Sequence, residues 1–115
     1  MIVKGKVLKG NKKAGKIGFP TANIKNTEKV LPGIYAGLVT VAKKTHDAVL
    51  YVGTNSIDTL EAHLLDFKGD LYGKEISVEV LEKIRDDEHV TDMTLLKEMI
   101  EKDCLDAWAI LFGHK

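Results

Sequence analysis

The sequence predicts a mainly β domain: an antiparallel barrel, closed or nearly closed, with one C-terminal helix packed on it. Three observations predict this. Short apolar runs bounded by polar, glycine-bearing connections follow one another through the first 84 residues. From Thr91 the apolar spacing lengthens to that of a helix and keeps it to Leu111. The chain has 115 residues, 44% of them hydrophobic, which suits one domain over 1–115 with a core of its own.

Residues 2–8 read as the first strand, and 9–18, polar and glycine-bearing, as a loop. Pro20 resists helix, so the chain around Asn23 is expected to be extended. Residues 33–42 alternate as a strand and 48–52 make another, with the polar run 43–47 as the hairpin connection between them. Residues 59–65 and 75–84 are two further strands, joined through a turn marked by Asp70, Tyr72 and Gly73. Leu96, Met99, Ile100, Cys104, Ala107, Trp108 and Leu111 then define one helical face, with Thr91 or Asp92 as N-cap and Gly113 as the stop. Strands this short and consecutive favour antiparallel pairing, with the late helix covering the sheet.

Composition narrows the function. Seventeen basic and seventeen acidic residues cancel, so no overall field points to nucleic acid or a membrane. Six lysines crowd the first 16 residues, which suits either an anionic ligand or a solvated sheet edge. The one cysteine, Cys104, excludes an internal disulfide and is read as a core filler. Residue 1 leads into a strand-like segment with no apolar signal block, and no apolar run could span a bilayer, so a cytoplasmic protein is expected.

One motif misleads. Residues 10–16 fit the first seven positions of a P-loop, but Ile17 stands where a magnesium-binding hydroxyl belongs, and Gly18 and Pro20 follow where a helix should open. A basic loop can still cover phosphates with lysines and backbone N–H groups. Two other segments carry chemistry better. Thr21 and Asn23, two apart in an extended segment, point the same way. They either cap a turn or offer hard oxygens to Mg²⁺, an ion that shares itself with substrate phosphates. Glu61 lies in an apolar strand, on one face with His63 and Leu65 and opposite Leu60, Ala62 and Leu64. It is either a surface carboxylate paired with a lysine or a partly desolvated base. Neither zinc-ligand spacing nor a nucleophile elbow occurs.

These residues, taken together, resemble the ATP-dependent riboflavin kinase family. The resemblance runs from about residue 3 to 107 on signposts in family order: Gly18-Phe19-Pro20-Thr21-Ala22-Asn23, Leu31-Pro32-Gly33-Ile34-Tyr35-Ala36, Val52-Gly53-Thr54-Asn55, Glu61-Ala62-His63-Leu64-Leu65-Asp66-Phe67, Asp70-Leu71-Tyr72-Gly73, then Ile84-Arg85 before a helix carrying Ile100 and Asp103. It implies a six-stranded antiparallel, Greek-key-like barrel and transfer of the γ-phosphoryl group of ATP to riboflavin, giving FMN and ADP. It implies that Thr21 and Asn23 hold magnesium and that Glu61 is the base at the ribityl 5′-hydroxyl. Nucleotide contacts would come from Gly10, Lys13, Gly15, Lys16, Gly18, Phe19 and Pro20 together with Thr21 and Asn23. Flavin contacts would come from Arg85, His63 and Val90.

The chain departs from the family pattern in three places. Ala14-Gly15 replaces a Gly-Arg pair, residues 56–59 form a shortened turn without the usual Pro-Thr, and Val90 stands where a Phe is expected. The partners expected are small molecules alone, without nucleic acid or membrane, acting on a monomer. With no nucleotidyltransferase domain ahead of residue 1, FAD synthesis is not expected. Three rivals remain: a flavin- or nucleotide-binding barrel without turnover, a kinase on the same barrel that takes another alcohol or another nucleotide, such as CTP, and a purely structural barrel.

Overall fold

A computed structural model describes residues 1–8, 21–67 and 69–113. Six strands come first: β1 (Ile2–Lys6), β2 (Ala22–Lys25), β3 (Gly33–Val41), β4 (Lys44–Gly53), β5 (Ser56–Leu64) and β6 (Glu75–Arg85). Helix α1 (Met93–Gly113) ends the described chain. The strands lie in the order β1-β6-β3-β4-β5-β2, every pair antiparallel. β3, β4 and β5 run as consecutive hairpins and β6 returns beside β3, which is the Greek-key order. Among the described residues the seam between β1 and β2 carries one bridge, Leu8 N–H to Asn23 C=O at 2.7 Å, and the barrel is nearly closed.

Alternation along each strand sorts side chains into two cores. Inside the barrel Val3, Ile24, Val39, Leu50, Leu60 and Val78 are wholly buried. Gly37 belongs to this interior because a Cβ there would sit 2.5 Å from both Glu79 C=O and Leu50 Cδ1. Outside the barrel, Ile34, Ala36 and Val49 pack under Ala107 and Leu111 of α1. Asn26, also buried, fixes the β2–β3 connection. Its Nδ2 donates to the carbonyls of Val30 and Ile57, each at 2.9 Å, while its Oδ1 accepts from Val30 N–H at 3.0 Å.

Several boundaries differ from those expected. β1 stops at Lys6, and Leu8 lies beyond it in the seam bridge. Residues 43–47 are not a connection: β4 starts at Lys44, and the turn is Ala42-Lys43, at φ 51° and 69°. Both residues occupy the left-handed region that a two-residue hairpin demands, without the glycine or asparagine that announces it. Ala42→Asn with Lys43→Gly is therefore expected to stabilise the fold by about 1 kcal/mol, read as a higher midpoint in urea. Residues 56–59 are likewise strand, not turn; the turn is Thr54-Asn55. On α1 the cap is Asp92, whose Oδ1 accepts from the N–H of Thr94 (2.9 Å) and Leu95 (3.1 Å). The buried stripe is Ile100, Asp103, Ala107 and Leu111, so Trp108, expected in the core, sits at its edge, 43% exposed. No helix of the described residues is long and apolar enough to cross a membrane.

Candidate active site

Strand register builds the site. Asn23 on β2 lies opposite Glu61 on β5, Glu61 opposite Tyr51 on β4, Tyr51 opposite Ile34 on β3, and Ile34 opposite Arg85 on β6. Directly paired residues share a face, so five strands set these side chains in one row on the outer side of the barrel. A cavity of about 270 Å³ opens over the row. Thr21, Glu61 and Tyr51 line it from the barrel, the 53–56 turn and residues 87–90 form its rim, and Leu96 and Ile100 close it from α1.

Glu61 is half-buried, as its neighbours Leu60 and Ala62 turn inward and are wholly buried. Burial raises its pKa above the usual glutamate range, and the charge of Asp87 raises it further. Two buried polar atoms lack a hydrogen-bond partner among the described residues, Asn23 Oδ1 and Tyr51 Oη. They belong to the two residues that flank Glu61 in the row. Asn23 Oδ1 suits a hard cation, and Thr21, two residues away, lines the cavity. Among the described residues no three His, Cys, Asp or Glu side chains gather as a metal site, so an ion here would depend on neutral oxygens and on its ligand's phosphates.

Burial lifts the Tyr51 phenol far above its ordinary value, with Asp103 adding to the effect, so the hydroxyl keeps its proton. An unpaired buried hydroxyl costs stability. Tyr51→Phe is expected to raise unfolding free energy by about 1 kcal/mol, measured by urea titration; a lowered midpoint would mean that the hydroxyl is partnered.

The Arg85 guanidinium forks onto Asp103, Nε to Oδ1 and Nη2 to Oδ2, both at 2.8 Å, fastening the end of β6 to α1. Nη1 also donates to Asp86 C=O at 3.1 Å. Asp87 Oδ2 accepts from Thr54 N–H (2.9 Å) and Thr54 Oγ1 (3.0 Å), joining two sides of the rim. Burial, then the charge of Asp103, pushes the Cys104 thiol up to about 11, so it stays protonated near neutrality and is no nucleophile.

Of the expected site residues, Thr21, Glu61, Arg85 and Val90 line the cavity, and Asn23 stands beside Glu61 in the row. His63 is not among the lining residues; it pairs with Val49 one row along. Gly10, Lys13, Gly15, Lys16, Gly18, Phe19 and Pro20 lie outside the described residues. Tyr51 and Asp87 carry no motif signal in the sequence, and Asp103 enters it only as a signpost of the family pattern.

Residues 1–111 match the family model described as Flavokinase: Riboflavin kinase. The chain belongs to the riboflavin kinase family. It is 37% identical over 109 residues to the RNA-binding riboflavin kinase RibR of Bacillus subtilis, covering 89% of this chain and 47% of that protein. It is 35% identical over 113 residues to the bifunctional riboflavin kinase/FMN adenylyltransferase of Escherichia coli, covering 91% of this chain and 36% of that one. The chain thus spans less than half the length of these relatives. Among solved structures it is similar to riboflavin kinase from Trypanosoma brucei, with TM-score 0.68 and 25% identity over 96% of this chain and 78% of the other.

Proposed function

We propose that this chain phosphorylates riboflavin with Mg-ATP, giving FMN and ADP. The observation that carries the reading is Glu61, a half-buried carboxylate of raised pKa at the cavity, between a buried amide oxygen with no partner among the described residues and a buried phenol. Family membership supports the substrate class.

In this reading Glu61 accepts the proton of the ribityl 5′-hydroxyl. That oxygen forms a bond to the γ-phosphorus, the bond from that phosphorus to the β–γ bridging oxygen breaks, and ADP leaves with the bond's electrons. Glu61's raised pKa brings its basicity nearer to that of a useful proton acceptor at neutral pH. Thr21 and Asn23 would hold the magnesium that accompanies ATP, and the ion would neutralise charge on the phosphates. The apolar side chains of Ile34, Val90, Leu96 and Ile100 would receive the ring system and keep water from it. Position and neutralised charge do most of the work in phosphoryl transfer, so a fixed row of side chains is the contribution the protein needs.

Incubating the purified protein with riboflavin, ATP and magnesium, and separating the flavins by chromatography, tests the proposal. FMN should appear, and chelation of magnesium should stop it. A clean, folded preparation that forms no FMN would overturn it.

A further inference from the structure

We propose that Asp87 is a positioning residue, which latches the cavity rim through Thr54. The inference rests on the reading of the cavity as the riboflavin site.

Residues 86–92 have no regular structure, yet they form one side of the cavity. The ends of this segment are held. Arg85 is forked to Asp103 below it, and Asp92 caps α1 above it. Between those anchors, Asp87 Oδ2 links the two sides of the cavity mouth by taking both hydrogens that Thr54 can offer. Thr54 sits in the tight β4–β5 turn, so a single carboxylate oxygen couples the rim of the sheet to the rim of the helix connection. Hydrogen bonds to an ionised acceptor are stronger than neutral ones, which suits a latch that must hold a segment lacking a ladder of its own.

Substitution tests the latch. Asp87→Ala removes both contacts with Thr54, Thr54→Ala removes the hydroxyl arm alone, and Asp87→Asn keeps an acceptor. With the parent shown to form FMN, Asp87→Ala should raise KM for riboflavin about tenfold while kcat changes less, as a loosened rim positions the alcohol less well. Thr54→Ala should raise KM by a smaller factor, and Asp87→Asn should bring KM back to within about twofold of the parent. An unchanged KM in a folded Asp87→Ala overturns the latch. Should Asp87→Ala fail to fold, KM in Thr54→Ala decides. A parent that forms no FMN defeats the proposed function, and the inference with it.

Discussion

Glu61→Gln is expected to slow FMN formation by about 10²- to 10⁴-fold, the usual contribution of a general base. The amide keeps the shape and most contacts of the carboxylate but cannot take the proton of the attacking hydroxyl. Nucleotide binding should stay near that of the parent, because the phosphate-side candidates Thr21 and Asn23 are unchanged. Calorimetric titration with ADP alongside the turnover assay checks both halves. Activity that survives the substitution would remove Glu61 from the role.

The same carboxylate sets a pH dependence whose sign can be stated. Burial, then Asp87, makes the folded state hold the Glu61 proton more tightly than the unfolded chain does. The stability this contributes is complete below the ordinary glutamate pKa and is lost as pH rises through the higher folded value. Above that folded value the parent carries a desolvated charge that the glutamine variant does not. There the variant should melt no lower than the parent despite its lost turnover, and kcat/KM of the parent should rise with pH later than a free glutamate would ionise.

Much of this site was legible in the sequence, and the part that was not has a definite cause. Glu61 showed itself as a carboxylate in an apolar alternation, and its strand folds as the alternation requires. Thr21 and Asn23 stood out as paired hard oxygens beside a proline. Tyr51 did not, because a register shift conceals it. Gly53 pairs with Ser56 across the turn, and continuing that register would set Tyr51 opposite Asp58. An irregularity of three residues between Gly53 and Tyr51 instead brings it opposite Glu61. No composition signal marks such a shift. Ala42 and Lys43 hid the neighbouring hairpin for a related reason, since neither is a usual left-handed residue. The burial of Asp103 is hidden by its charge: helical periodicity counts apolar residues, so it points to Trp108 where the buried member is an aspartate.

Asp103→Ala should produce the largest loss of stability, about 3–5 kcal/mol, because it leaves the Arg85 guanidinium partly buried without its counter-charge. The Asp103 side chain is 2% exposed and that of Arg85 26%, so water can replace little of what the pair supplies. At roughly 4 °C or more per kcal/mol for a domain of this size, the melting temperature should fall by more than about 10 °C. Arg85→Ala should be comparably harmful, since it strands a fully buried carboxylate. Removing both charges together has a different consequence. With Arg85→Met and Asp103→Leu the apolar volume is kept and no charge is left unpaired, so most of the lost stability should return. Thermal melts of the two single variants and the double variant give the coupling energy directly. If the double variant were as unstable as the singles combined, the pair would be holding α1 to β6 by geometry that apolar packing cannot replace. The cavity shares this joint, for Arg85 ends one wall and Ile100, one turn before Asp103, belongs to another. A double variant that recovers its melting temperature but not its KM for riboflavin would show that the forked contact orients the pocket as well as stabilising it.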